Sequence, residues 1–105
     1  MEEYSGKRYE ILKEAIETVC NDRQDQYGNP EDNFSTIAYF WNTYLMATYW
    51  DIKNEESTFV NITEDDVAAM MILMKIARIA TGNPKKDNWV DICGYSACGA
   101  ELQHV

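Results

Sequence analysis

The sequence predicts an all-α protein of four helices, and three observations carry that expectation. Apolar residues recur at helical spacing in the segments that matter, as Tyr9, Leu12, Ile16 and Val19 do near the start. Helix-stop and helix-start residues punctuate the chain at "YGNP", at Thr63 and at "TGNPKK". No stretch reads convincingly as a strand.

The first helix is expected from about Lys7 to Gln26. Gly28 stops it, and Pro30 suits the first turn of the next, with Asn29 as its N-cap. The second helix then runs from about Pro30 to Trp50, and its "YFWNTYLMATYW" run reads as core or interface. A polar connection, "DIKNEESTFVNI", follows with a short extended piece. Thr63 caps the third helix, whose first turn holds Glu64, Asp65 and Asp66, where the macrodipole favours negative charge. "TGNPKK" closes it, and the fourth helix runs from about Asp87 to Gln103. With no repeat or linker, residues 1–105 form a single all-α domain, expected as a compact four-helix bundle.

Composition excludes several functions. The chain has 105 residues and is 46% hydrophobic, enough for one modest core. Its net charge is −9, with Lys and Arg outnumbered two to one, which excludes a general DNA or RNA binder. Cys20, Cys93 and Cys98 are odd in number and form no CxxC pair, and the lone His104 is next to the end. A zinc site or Cys/His nucleophile is therefore not expected, and reduced thiols fit a cytoplasmic protein. The N-terminus lacks a signal-peptide pattern, and the apolar run from Val67 to Ala80 is too short to span a bilayer. No membrane partner is expected.

The informative residues are polar ones on apolar stripes. The third helix is apolar in every direction, with Met70, Leu73 and Ala77 on one side and Ala68, Ile72 and Ile79 on the other. That pattern predicts a central, buried helix. Beyond its first turn only Lys75 and Arg78 are charged, and they are neighbours on one face. Asp66, in line with Met70 and Leu73, is expected to point inward. On the fourth helix Asp87 and Asp91 begin a face that continues through Gly94, Tyr95, Cys98 and Leu102.

Elsewhere, Arg23 continues the stripe of Leu12, Ile16 and Val19, with Tyr27 close by. Asn33 borders the side bearing Ile37, Phe40 and Tyr44. Such charges need partners, because burying one unpaired costs several kcal/mol. Two arrangements satisfy them. Lys75 and Arg78 pair directly with Asp87 and Asp91, or both sets share an anionic ligand such as a phosphate. In the second arrangement no cofactor is required, although Mg²⁺ on Asp66, Asp87 and Asp91 is compatible with it. Trp41 and Tyr95 are candidates to line or stack on the ligand. Glu14 and Glu17 have the ExxE spacing of a magnesium helix but lie opposite Leu12 and Val19, on a face read as solvated.

The segments "DRQDQYGNPEDNF", "IAYFW", "DVAAMMILMKIAR" and "DNWVDICGY" carry a resemblance. From about Asp22 to Tyr95 the chain resembles a set of small phage and prophage proteins that look related to MazG-like all-α nucleotide pyrophosphohydrolases. The resemblance implies a MazG-like bundle completed by homo-oligomerisation, as a dimer or tetramer. It also implies a nucleotide pocket between helices and, in active enzymes, Mg²⁺ on acidic side chains. The chain departs from that pattern: its second helix has no ExxE, and Glu64 is followed at that spacing by Val67.

The preferred expectation is therefore a protein that binds and sequesters a phosphorylated nucleotide, such as a host immune signal. Arg23, Lys75 and Arg78 would engage phosphates, and Tyr27 and Asn33 the base or ribose. The alternative is a Mg²⁺-dependent nucleoside triphosphate pyrophosphohydrolase. A third reading is an acidic interaction protein whose polar cluster is structural.

Overall fold

The computed structural model describes residues 4–22, 30–49 and 60–105. These hold four helices: α1 (Lys7–Glu17), α2 (Pro30–Tyr49), α3 (Glu64–Thr81) and α4 (Lys86–Leu102). No strand occurs among the described residues. A wider π-helical turn, Thr18–Asp22, extends α1. There the Thr18 hydroxyl donates to the Glu14 carbonyl at 2.9 Å, a bond that competes with the backbone ladder. The expected continuation of α1 to Gln26 and the Asn29 cap lie outside the described residues.

Local chemistry sets the start of α3. The Thr63 backbone N–H donates to Asp66 Oδ2 at 2.9 Å, the reciprocal half of a capping box. Asp65 accepts a hydrogen bond from the Thr63 hydroxyl and another, at 3.0 Å, from Gln103 Nε2 at the far end of α4. That second bond closes an antiparallel α3–α4 hairpin whose connection is only residues 82–85.

The residue before the cap is held from α2. Ile62 N–H donates to Asn42 Oδ1 at 2.8 Å, and Asn42 Nδ2 donates to the Ile62 carbonyl at 2.9 Å. Both backbone polar groups of a buried residue are thus satisfied by one side chain.

Packing follows small residues and rings. Phe34, Ala38, Ile62, Val67, Ala68, Tyr95 and Cys98 form the core, flanked by Trp41, Leu45, Met71 and Ile72. The rings of Phe34 and Tyr95 lie 6.1 Å apart. Two glycines let α4 be approached closely on both sides. A Cβ at Gly94 would sit 2.8 Å from Val19 Cγ1 of the π turn, and one at Gly99 would sit 3.2 Å from Ala68 Cβ of α3. Across the molecule, Lys86 Nζ lies 2.7 Å from Glu14 Oε2 and ties the start of α4 to α1.

Three expectations are corrected. α3 is buried on one side only: Val67, Ala68 and Lys75 are buried, whereas Met70, Leu73, Ile76 and Ala77 are exposed. Its neighbours α2 and α4 both pack on the same side, so the opposite apolar face has nothing against it among the described residues. On α1, Ala15 is buried and Leu12 and Ile16 are exposed. On α2, Phe34 and Ala38 face inward, while Phe40 and Tyr44 face out. Among the described residues no helix is long and apolar enough to cross a membrane.

Candidate anion-binding cleft

The α3–α4 hairpin places the charged residues singled out by sequence in two different settings. Lys75 points from α3 toward α4, and its Nζ lies 2.6 Å from Asp91 Oδ2. The two side chains are 11% and 23% exposed. Of the two arrangements open to them, this pair takes the direct one. Its desolvation is offset by a short, charge-assisted contact, so removing either partner strands a largely buried charge.

Arg78 lies three residues, about 4.5 Å of helix rise, beyond Lys75. It is exposed and forms no ion pair among the described residues. Instead it lines an open polar cleft of about 320 Å³ with Thr81, Gly82, Asn83, Lys85 and Asn88. Thr81 uses its proton on the Ala77 carbonyl at 2.8 Å and keeps acceptor capacity. Asn88 is buried and forms part of the wall. Lys85 is the N-cap of α4, with extended backbone and no side-chain capping bond. The cleft therefore combines two cations, two amides and the positive end of a helix dipole, the ingredients of an anion site.

The remaining candidate residues are dispersed. Asp66 caps α3 through Thr63, which corrects the expectation that it points inward. Asp87 is exposed in the first turn of α4 rather than paired with Lys75. Asp66 and Asp87 thus sit at opposite ends of the hairpin, while Asp91 is taken by Lys75. Among the described residues no three His, Cys, Asp or Glu side chains are grouped to hold a metal ion. These carboxylates do not fit a shared Mg²⁺.

Trp41 and Tyr95 pack at or in the core, so the rings expected to stack on a ligand serve the fold. Asn33 is half-buried near the start of α2. Arg23 and Tyr27 lie outside the described residues.

Sequence reasoning missed Asn83, Lys85 and Asn88. The signal was present in "TGNPKKDN", where cations and amides meet a helix start just after Arg78. It also read Glu14 as solvated, but Glu14 is bound to Lys86, whose ammonium it holds above its ordinary range by a hydrogen bond and by its charge.

Residues 10–103 match the model of a protein family described as a domain of unknown function, DUF6378. The chain is 36% identical over 88 residues to the Gene 55 protein of Mycobacterium phage D29, covering 84% of this chain and 50% of that protein. It is 34% identical over 93 residues to the Gene 55 protein of Mycobacterium phage L5, covering 89% and 52%. The chain thus spans about half the length of these curated relatives. No solved structure matches it.

Proposed function

The chain belongs to the DUF6378 family, and from that premise we propose that it binds a small phosphorylated nucleotide at the α3–α4 turn and sequesters it. One observation carries the reading: in a chain of net charge −9, Arg78 has no carboxylate partner among the described residues and shares a polar cleft with Lys85. A guanidinium binds phosphate oxygens through two parallel N–H bonds, a stronger contact than a single point charge makes. Asn83 and Asn88 add donors and acceptors suited to a sugar or base. The nucleotide as ligand class follows from the MazG-like resemblance, and sequestration suits a phage-related protein facing host nucleotide signals.

Sequestration is preferred to hydrolysis because of where the carboxylates are committed. Asp66 is engaged in a helix cap and Asp91 in an ion pair, so neither is placed to activate water. The expected ligand is held by charge and hydrogen bonding without turnover.

The test is to incubate the purified chain with a panel of nucleotides and Mg²⁺, denature it, and chromatograph what is released. Intact nucleotide recovered after tight binding supports sequestration. Release of monophosphate and pyrophosphate would instead establish the pyrophosphohydrolase, and absence of both binding and turnover would leave the cluster structural.

A further inference from the structure

One wall of the cleft at the α3–α4 turn differs from the rest. Arg78, Thr81, Gly82, Asn83 and Lys85 are exposed, whereas Asn88 is only 7% exposed. Asn88 therefore forms the floor, with Arg78 and Lys85 at the rim. Its backbone N–H bonds back to the Lys85 carbonyl at 3.3 Å, but its carboxamide forms no hydrogen bond among the described residues. No side-chain nitrogen or oxygen among them is both dry and without a partner. Both facts hold together only if the amide opens onto the cleft that it lines. A carboxamide so enclosed and left unbonded does not help the fold, so its place calls for a partner from outside.

We infer, resting on the nucleotide reading of this cleft, that Asn88 meets the nucleobase and so separates nucleotides from other phosphate esters. A carboxamide presents a donor beside an acceptor in one plane. A phosphate group has only acceptors, so at the floor it would leave Asn88 Oδ1 facing oxygens of its own kind. A nucleobase edge also carries a donor beside an acceptor, and asparagine meets such an edge with two parallel hydrogen bonds. Phosphate and base are the two ends of a nucleotide, with the sugar between them. The cleft has the same polarity, with cations at its rim and a neutral planar amide at its floor. Neither Asp87 nor Asp91 lines it, so no carboxylate of α4 opposes the phosphate there. Because a carboxamide can turn over, it accepts either order of donor and acceptor. Asn88 therefore selects for a base rather than among bases.

Calorimetric titration of the full chain with nucleoside monophosphates and with ribose 5-phosphate, which keeps phosphate and sugar but has no base, tests the proposal. The wild type is expected to bind the best nucleotide about tenfold or more tighter than ribose 5-phosphate. Asn88→Leu is expected to erase that difference by weakening the nucleotide alone. Arg78→Ala is expected to weaken both ligands and leave their ratio unchanged. A structural role for Asn88 would instead weaken both ligands together in Asn88→Leu. If that variant does not fold, NMR of the wild-type Asn88 side-chain amide decides: its signals should move with the nucleotide and stay in place with ribose 5-phosphate. Equal binding of the two ligands by the wild type overturns the role of Asn88 and leaves the phosphate site standing. So does a ratio that survives in Asn88→Leu, or an Asn88 amide that both ligands move alike. Absence of any binding, or binding indifferent to Arg78→Ala, overturns the nucleotide site and the role of Asn88 together.

Discussion

Lys75 Nζ and Asp91 Oδ2 meet at 2.6 Å between α3 and α4, so the two charges that looked misplaced on apolar stripes neutralise each other. The pair belongs to the fold. Asp91→Ala is expected to cost about 3 kcal/mol or more, because it leaves a largely buried ammonium unpaired. K75M/D91L, which removes both charges and keeps the volume apolar, should be far milder. Urea denaturation followed by circular dichroism checks both. Equal destabilisation by the single and double variants would show that packing, not charge, is what Asp91 contributes.

Arg78 is expected to behave in the opposite way. Exposed and without an ion-pair partner among the described residues, it can be cut to Ala at a cost within about 0.5 kcal/mol of stability. Nucleotide affinity should fall by about tenfold or more, the loss of a charge-assisted contact. Lys85→Ala should act in the same direction. Calorimetric titration beside thermal melts separates the two effects, and a variant that melts early yet binds normally would remove Arg78 from the site.

Asn42 gives a third expectation. Asn42→Ala leaves the N–H and C=O of buried Ile62 without the partners they now have, at about 1–3 kcal/mol for each group that stays dry. Hydrogen exchange at the Ile62 amide should accelerate well beyond the change at Val67 in the next turn. Uniform acceleration along α3 would instead mean global loss of stability.

The start of α3 also carries a pH dependence. Hydrogen bonds from Thr63 first and Gln103 second hold the Asp65 carboxyl below its ordinary value of 3.8. A group whose folded pKa is depressed contributes stability that is present above its unfolded pKa and lost as pH falls through its folded one. The α3–α4 closure should therefore weaken only below about pH 4. Gln103→Ala should move the Asp65 titration, followed by carboxyl-carbon NMR, upward toward 3.8.

Much of the fold was legible in the sequence because its punctuation is chemical. Thr63 and the acidic turn after it mark the start of α3, and "TGNPKK" marks its end. The opposite-sign anomalies on α3 and α4 were also readable, and Lys75 with Asp91 is their resolution. What periodicity had no power to decide was which side of α3 faces inward. A helix apolar all round has no preferred direction, so Asp66, Met70 and Leu73 read as internal when Val67, Ala68 and Lys75 are the buried set. α1 hid its orientation differently: its inward residue is Ala15, smaller than the Leu12 and Ile16 beside it. Asn42 and Ile62 are 20 positions apart, and a side chain that serves a distant backbone leaves no local pattern.

The two glycines of α4 have a consequence for how the molecule tolerates change. A methyl group at Gly94 would press on Val19, and one at Gly99 would press on Ala68. Alanine is worth about 1 kcal/mol over glycine inside a helix, so intrinsic propensity alone favours replacing both. Close approach opposes that gain from two different directions. α4 therefore acts as a gauge whose girth sets the spacing of its neighbours. A methyl group at Gly94 requires Val19 of the π turn to shift, whereas one at Gly99 asks only a small adjustment of Ala68 across the hairpin, so Gly94 is the less tolerant of the two.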